Sequence, residues 1–279
     1  VLLFGGIQIA LFLKEKGAYR VWRVLSRGIC VAVVCVSIFI LGFRQKNLIS
    51  ITCLDIGQGD GIVIQLPGGK TVMVDGGSSS KKKVASYQIL PYLKNQGISV
   101  VDAMLISHTD LDHISGVQEL LTLKEKHLTT LRIKNLLLPD WKAPEEVYYE
   151  LEEQAKRCGI SVLRLHQGQK LRFGDGSLEI LSPETGAKIV MELRYGKFRG
   201  LFTGDIGAET EKKLLPKLDD VNFLKVGHHG SRYSTCQEFL DKIKPELAVI
   251  SCSESNTYGH PSPERRHVLK RTGSGRNIR

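Results

Sequence analysis

Cysteine is scarce in this sequence, and the few cysteines lie far apart. Six occur among 279 residues, and no two have the close spacing of a zinc finger. Two of them, Cys30 and Cys35, lie in an apolar segment. We therefore interpret the cysteines as mostly buried small hydrophobic residues, which argues against a disulfide-stabilised fold. Internal repeats and low-complexity tracts are also missing from the sequence.

A charge excess of one sign is missing from most of the chain. The formal charge is +10, but residues 1–43 contribute five basic groups and one acidic group, and residues 265–279 contribute six basic groups and no acidic one. The remaining 28 basic and 28 acidic groups of residues 44–264 cancel. Overall charge is therefore a weak indication of a polyanionic partner, and any electropositive groove must be a local arrangement.

The N-terminal segment is the one place with extended apolar runs. Residues 1–13 are apolar, residues 14–28 contain five basic side chains, and residues 29–43 carry no charge. Fifteen helical residues cover roughly 22 Å, less than the ~30 Å hydrocarbon core, and flanking arginines can snorkel to close the gap. We expect a membrane span here rather than a signal-peptide core or a buried helix. The basic stretch then lies in the cytoplasm and the rest of the chain on the non-cytoplasmic side.

From about residue 48 the pattern changes to short strands, turns and helices. Helices are predicted near 87–95, 115–126, 145–157, 207–215 and 236–242, with strands between them. Two sets of strands with interspersed helices predict an α/β sandwich of sheets flanked by helices. The glycines at 57, 59 and 61 do not have the spacing of a dinucleotide-binding loop, and no helix is predicted after them, so we exclude that class of site.

Four potential metal ligands lie within six residues, directly after the apolar residues 103–106. They are His108, Asp110, Asp112 and His113. A strand that ends in a tight loop can direct all four side chains at one point. Imidazole and carboxylate together suit Zn²⁺, Mn²⁺ or Fe²⁺ better than Ca²⁺ or Mg²⁺, and the lack of cysteine ligands favours a catalytic site with an open position for water. A capped strand end with solvated side chains is the alternative.

Three later groups of polar side chains also follow predicted strands. Asp205 follows residues 198–203, His228, His229 and Ser231 follow residues 223–226, and His260 follows residues 248–251. Each taken alone is an ordinary cap or a solvated loop residue. Adjacent histidines point in different directions, so we expect one of His228 and His229 to face the site. The recurrence of such groups after the metal-ligand run makes coincidence a poor explanation for all of them.

These motifs, taken in order, resemble those of the metallo-β-lactamase superfamily, and more narrowly the C-terminal hydrolase domain of ComEC-type competence proteins, which internalise DNA. The motifs are Asp55-Ile56-Gly57-Gln58-Gly59-Asp60, Val74-Asp75-Gly76-Gly77, Ser107-His108-Thr109-Asp110-Leu111-Asp112-His113, Leu201-Phe202-Thr203-Gly204-Asp205, Val226-Gly227-His228-His229-Gly230-Ser231 and Tyr258-Gly259-His260-Pro261. The resemblance covers about residues 48–265. It implies an αββα sandwich at 46–279, shortened at its C-terminus, preceded at 1–45 by the end of a membrane channel region with transmembrane helix segments.

The resemblance also implies a role for each motif residue. His108 and Asp110 would serve one metal ion, Asp112, His113 and His260 a second, and Asp205 would bridge the two. Catalytic roles would fall to Asp112, His228 and His229, while Asp60, Asp75 and Ser231 would support the ligands or contact the substrate. The implied cofactor is one or two divalent ions, zinc or manganese.

The resemblance implies a membrane-tethered, metal-dependent nuclease or phosphodiesterase of a DNA-uptake channel. It would degrade the DNA strand that does not enter the cell, on the non-cytoplasmic side of the cell membrane. Its expected partners are single-stranded DNA, the membrane and other competence proteins. Two alternatives stay open: a hydrolase of the same fold acting on a small ester or phosphodiester, and a catalytically silent vestibule that only binds DNA.

Overall fold

A computed structural model describes residues 19–42, 48–142, 144–182 and 188–265. The chain divides into two compact units, residues 1–46 and 47–279. The described part of the first unit is helix α1, Tyr19–Gly42. The helices of the second unit are α2 Leu90–Asn95, which continues the π-helical turn Ala85–Ile89, α3 Leu111–Glu125, α4 Glu146–Arg157, α5 Ala208–Leu214 and α6 Gln237–Ile243.

The second unit also contains the strands that form its sheets. They are β1 Ser50–Cys53, β2 Gly61–Leu66, β3 Lys70–Asp75, β4 Val100–Val101, β5 Ala103–Leu105, β6 Arg132–Ile133, β7 Asn135–Pro139, β8 Ser161–Leu165, β9 Lys170–Phe173, β10 Gly176–Ser182, β11 Val190–Tyr195, β12 Phe198–Phe202, β13 Phe223–Lys225 and β14 Leu247–Val249. Two six-stranded sheets result, with the orders β1-β2-β3-β5-β7-β8 and β14-β13-β12-β11-β10-β9, and β4 pairs with β6 separately.

Helix α1 begins ten residues before the predicted apolar segment. The arginines at 20, 23 and 27 therefore belong to the same helix as the apolar residues that follow them. Among the residues that the structure describes, no helix combines the length and the apolar character needed to cross a membrane. The structure thus gives no support to the predicted span over 29–43. The apolar residues 1–13, and residue 43 itself, lie outside the described residues.

Three layers of apolar side chains hold the second unit together, and strand alternation assigns residues to them. Ile62 and Ile64 of β2 enter the layer between the two sheets, whereas Val63 enters the layer under α3 and α4. A third layer packs the other face of the second sheet against α5 and α6, with Leu214 and Phe239 in it. The order helix, sheet, sheet, helix confirms the predicted αββα sandwich.

Helix α3 begins earlier than the sequence predicted. We expected residues 108–113 to form a loop and the helix to begin near Ser115, but the helix begins at Leu111, after Asp110 in an extended conformation. Asp112 and His113 therefore lie in the first turn. The carboxylate of Asp112 is suited to this place because the N-terminus of a helix carries partial positive charge. The polar residues of that turn lack apolar periodicity, and this is why the pattern missed it.

Asp102 connects the start of β3 to Lys134, between β6 and β7, and its contacts give a test of the fold. Its side chain, 10% exposed, accepts hydrogen bonds from Lys134 Nζ at 2.7 Å, Lys70 Nζ at 3.3 Å and the backbone nitrogen of Thr71 at 3.0 Å. Burial alone would raise the pKa of Asp102, but these partners outweigh it and lower the pKa. The ionised carboxylate is therefore the form that stabilises the folded chain.

We expect Asp102→Asn to lower the free energy of unfolding by about 1–3 kcal/mol at pH 7, because charged hydrogen bonds are lost. This loss of unfolding free energy should be complete above about pH 4. It should shrink as the pH falls through the lowered pKa of Asp102 in the folded state. Urea denaturation at pH 7 and at low pH measures it. Asp175→Asn, at an exposed turn, is the control and should change stability by less than about 0.5 kcal/mol. An equal deficit at both pH values would contradict the assignment.

Candidate metal centre

The predicted site residues meet at one edge of the sandwich. Strands β3 and β5 run parallel, as do β12, β13 and β14, so their C-terminal ends lie together in each sheet. Asp75 ends β3, the run from Ser107 follows β5, and Asp205 and His229 follow β12 and β13. Parallel strands therefore bring to one place residues as far apart in the sequence as Asp75 and His229.

Asp205 lies at the centre of a group of histidines. Its Oδ2 atom is 3.5 Å from His113 Nε2, 3.8 Å from His108 Nε2 and 3.9 Å from His229 Nε2. The histidine rings lie close together, with centroids 3.9 Å apart for His108 and His113 and 5.6 Å apart for His113 and His229. Three imidazole nitrogens thus face a single buried carboxylate.

Asp75 fixes the orientation of His113 directly and that of His108 through Ser107. It accepts hydrogen bonds from the Ser107 nitrogen at 2.7 Å, the Ser107 hydroxyl at 2.7 Å and His113 Nδ1 at 2.9 Å. The Ser107 hydroxyl donates its one hydrogen bond to Asp75, so in its contact with His108 Nδ1 at 2.9 Å the imidazole is the donor. Both rings therefore carry their proton on Nδ1 when neutral, and each Nε2 keeps its lone pair.

His229 is held in the same way from the second sheet. Its Nδ1 donates to the carbonyl oxygen of Ser251 at 2.8 Å. A neutral His229 ring then also presents an Nε2 lone pair, 3.2 Å from Asp112 Oδ2. Lone pairs and carboxylates that face one another repel unless a cation or a proton lies between them.

Buried atoms without partners indicate where that cation fits. Within the described residues, His113 Nε2 and Asp205 Oδ1 are buried and have no hydrogen-bond partner. Buried polar atoms are rarely left unsatisfied, because each costs about 1–3 kcal/mol. Ligand atoms of His108, His113 and Asp205 lie within 4.8 Å of one another, and so do those of Asp112, His113 and His229. The donor set, imidazole nitrogen with carboxylate oxygen, fits zinc or manganese.

The pKa shifts of His113 and Asp205 result from the close packing of imidazoles and carboxylates at this centre. Burial alone would lower the pKa of His113, but the carboxylates of Asp75 and Asp205 outweigh it and raise the pKa well above its usual value. Burial would raise the pKa of Asp205, but His113, with His229 and His108, holds it far below the usual range. A site that attracts a proton this strongly also attracts a metal cation, which displaces the proton on binding.

Two predicted ligands lie at the margin of this group. Asp110, with its side chain 57% exposed, is 3.0 Å from His108 Nε2 and 3.5 Å from Lys188 Nζ. The neighbouring His108 lowers the pKa of Asp110 to about 2. His260 belongs to neither three-residue group, and its ring centroid is 6.5 Å from that of His229. His229 is the histidine that lies beside Asp112, and the ligand role expected for His260 stays a prediction.

The glycine motifs of the sequence serve close backbone contacts. A Cβ atom on Gly59 would lie 2.5 Å from the carbonyl oxygen of Asp112, and one on Gly77 would lie 2.4 Å from the carbonyl carbon of His113. The adjacent nitrogens of Asp60 and Gly76 donate to the carbonyls of Asp112 and His113, at 3.0 Å and 2.9 Å. These loops therefore fix the first turn of α3, which carries two candidate ligands.

Lys225 is a site residue that the sequence analysis missed. It is fully buried at the end of β13, and its Nζ lies 2.8 Å from Asp60 Oδ1 and Oδ2. Burial would lower the pKa of Lys225 and raise that of Asp60, but each charge offsets the effect for the other, so Lys225 stays charged and Asp60 ionised. A lysine in the apolar stretch 223–226 was the available signal, since a buried lysine requires a carboxylate partner.

His228 and Ser231 face a cleft beside the group rather than its centre. Both line a cavity of about 420 Å³ that His260 also borders. His228 and His229 adopt positive φ angles of 50° and 53°, which non-glycine residues seldom adopt. This turn directs the two adjacent rings to different surroundings: His229 reaches Asp112 and His228 borders the cleft. One histidine of the pair thus faces the group, although their catalytic roles stay predictions.

Comparisons with known proteins agree with this arrangement. A sequence model described as the metallo-beta-lactamase superfamily matches residues 54–254. ComE operon protein 3 of Bacillus subtilis (strain 168) is 28% identical over 274 residues, which cover 89% of this chain and 34% of that protein. Competence protein ComA of Neisseria gonorrhoeae is 26% identical over 231 residues, which cover 78% of this chain and 29% of that protein. These relatives confirm the resemblance to ComEC-type competence proteins.

The chain spans about a third of the length of these curated relatives. Among solved structures, the metallo-beta-lactamase fold protein YhfI from Bacillus subtilis matches 78% of this chain and 93% of its own length. The TM-score is 0.54 at 14% sequence identity, so this likeness concerns the fold.

The first test of the centre is metal content. We expect the purified chain to retain at least one Mn²⁺ or Zn²⁺ and the double variant Asp112→Ala, His113→Ala to retain none, because it removes a ligand from each three-residue group. Elemental analysis after gel filtration measures this. Added metal should also stabilise the original chain, by about 2.7 kcal/mol at 100 times Kd, and leave the variant unchanged.

The matched control removes an aspartate and a histidine elsewhere. His166 and Asp140 form an exposed pair at 2.9 Å, and Asp140→Ala with His166→Ala should leave metal content unchanged. Undiminished metal in the Asp112, His113 variant would contradict the assignment.

Proposed function

The chain belongs to the metallo-beta-lactamase superfamily, and on that premise we propose that it is a metal-dependent phosphodiesterase that cleaves DNA during DNA uptake. The observation that carries the proposal is the convergence of three imidazole Nε2 atoms on the buried Asp205 carboxylate. The similarity to a protein named for competence supports DNA as the polymer.

We assign separate roles in the proposed reaction to metal ligands and to the residues that orient them. We propose that His108, His113 and Asp205 hold a divalent cation, zinc or manganese, and that Asp112 and His229 hold a second position beside it. Such ions lower the pKa of water and neutralise charge that develops on a phosphodiester. Asp75 and Ser107 keep the ring nitrogens aimed inward, which preserves both affinity and geometry.

The protein also offers groups that can hold the phosphate. His228 and Ser231 border the centre on the side of the larger cleft. A smaller cleft of about 340 Å³ is lined by Leu111, which precedes Asp112 in α3, and by the segment 78–84, which includes three serines and three lysines. Lys82 and Lys83 are exposed there. This local basic surface supports a polyanionic substrate although residues 44–264 as a whole carry no net charge.

Activity should respond in a graded way to the two aspartates. Asp112→Ala should abolish cleavage of single-stranded DNA, because Asp112 contacts His229 within a candidate ligand group. Asp110→Ala should leave metal bound and slow cleavage roughly 10- to 100-fold, since this exposed carboxylate contacts only the margin of the group. The measurement is release of labelled product with Mn²⁺ or Zn²⁺ added after chelation.

Asp175→Ala is the control for these assays and should cleave at the original rate. Equal loss of metal in the Asp110 and Asp112 variants would contradict the division of roles. If DNA binds to the metal-loaded chain and neither substitution alters a measured rate of cleavage, the silent DNA-binding vestibule becomes the better account.

We also propose that the domain acts at the cell membrane on its non-cytoplasmic side. The basis is the charge pattern, five basic residues within 14–27 before the uncharged residues 29–43. In the described part of α1, the large apolar side chains Val24, Ile29 and Val31 are all more than half exposed. Such a helix can bury these side chains against lipid or protein.

A reporter fusion tests this location. Alkaline phosphatase fused after residue 60 should be active, because it folds only outside the cytoplasm, and a cytoplasmic reporter at the same place should be silent. Replacing the basic residues at 14, 16, 20, 23 and 27 by glutamine should reduce the difference in activity between the two reporters. Cytoplasmic activity of the original fusion would refute the proposed side of the membrane.

A further inference from the structure

The larger cleft beside the metal centre is lined by two exposed tyrosines that belong to no candidate ligand group. Its volume is about 420 Å³, within the range of small-molecule sites. Two of its lining residues, Tyr233 and Tyr258, are 68% and 66% exposed. Both come from loops that follow strands of the second sheet. Large aromatic rings are seldom left this exposed in pairs around one cleft unless something packs on them.

Each tyrosine ring is held in place by a neighbour that leaves much of the ring open. Tyr258 stacks on His260, with ring centroids 5.7 Å apart and an angle of 23° between the planes. The Arg232 guanidinium lies 5.5 Å from the centroid of the Tyr233 ring. Rings supported on one face are pre-arranged to accept another flat group, because little side-chain freedom is lost on binding.

The charge of the cleft favours a flat neutral group over a phosphate. Its described lining residues include one arginine, Arg232, and one glutamate, Glu264, so their formal charges cancel. Away from His228 and Ser231, which border the metal centre, a phosphate gains little from this lining, whereas the faces of the tyrosines attract any π-system. The lysine-rich segment 78–84 lines a different cleft. The structure thus separates an aromatic surface from a basic one around the same centre.

The aromatic cleft begins at the wall of the metal centre. His260 and His228 line it, and their ring centroids are 5.7 Å apart. His229, which contacts Asp112 of the centre, lies 6.5 Å from His260 between ring centroids. A group bound in the cleft is therefore a close neighbour of a phosphodiester at the centre, as a nucleobase is a neighbour of its own phosphate.

We propose that this cleft is a nucleobase-stacking subsite, in which Tyr258 and Tyr233 hold an unpaired base of the strand whose phosphodiester lies at the metal centre. The proposal rests on the proposed phosphodiesterase function and adds a requirement for single-stranded nucleic acid. Bases of a duplex are stacked on one another and are not available to an aromatic side chain without unpairing. Stacking also tolerates any base, so the subsite selects strandedness rather than sequence.

A binding measurement in chelator tests the subsite without any reaction. The full chain is titrated against fluorescein-labelled oligothymidylate and against an abasic oligonucleotide of equal length and charge, with fluorescence anisotropy as the readout. Tyr258→Ala should weaken binding of the oligothymidylate by roughly 5- to 150-fold and leave binding of the abasic strand unchanged. Tyr258→Phe should bind as the original chain does, because it keeps the ring.

Tyr149→Ala is the matched control. This tyrosine is also half exposed, but it lies on α4 and does not line the cleft. It should bind both strands as the original chain does. Equal affinity of the original chain for the two strands, or equal losses for Tyr258→Ala on both, would overturn the subsite. Both tyrosines are exposed, so their substitution should leave the melting temperature unchanged, and this is checked in parallel.

A cleavage assay separates failure of the subsite from failure of the function. With Mn²⁺ added, cleavage of both strands at equal rates would support the phosphodiesterase and refute the subsite. Cleavage of neither strand, with preferential and Tyr258-dependent binding of oligothymidylate in chelator, would refute the phosphodiesterase and support the subsite. Preferential cleavage of oligothymidylate that falls with Tyr258→Ala and not with Tyr149→Ala is the expected result.

Discussion

The centre depends on one carboxylate that lies behind it. Asp75 accepts hydrogen bonds from Ser107 and from His113. Through the Ser107 hydroxyl it also determines which ring nitrogen of His108 carries the proton. These contacts place both Nε2 lone pairs on the side of Asp205. Asp75 itself ends β3 with a φ of 54°. The local strain is offset because the turn directs the carboxylate at three donors at once.

A second buried carboxylate joins the two halves of the sandwich. Asp60 follows the first strand of one sheet, Lys225 ends a strand of the other, and their contact at 2.8 Å crosses the interior next to the metal centre. Taking two charges out of water offsets most of their attraction, so such a pair contributes more to a unique alignment than to stability. Gly59 and Gly77 add to that alignment, because only glycine permits the backbone contacts that hold α3 in place.

Charge and aromatic surface are divided around the centre in a way that suits a flexible polymer. The lysines of segment 78–84 border one cleft and the tyrosines at 233 and 258 border another. A strand of nucleic acid presents phosphates along its backbone and bases to the side, so both surfaces can be contacted by the same strand. Under the proposed function both surfaces are used, whereas a small ester would contact the centre alone.

The sequence by itself determined the sandwich and the candidate ligands. The alternation of short strands and helices predicted the sandwich, and the polar residues after apolar strands marked the site. Local pattern could not place the start of α3, the pairing of β4 with β6, or the buried partner of Asp60. It also could not decide between His229 and His260 beside Asp112, since that depends on a turn with positive φ angles at 228 and 229. Side-chain identity is encoded along the chain, but the distance between side chains from two sheets is set only when the sheets pack.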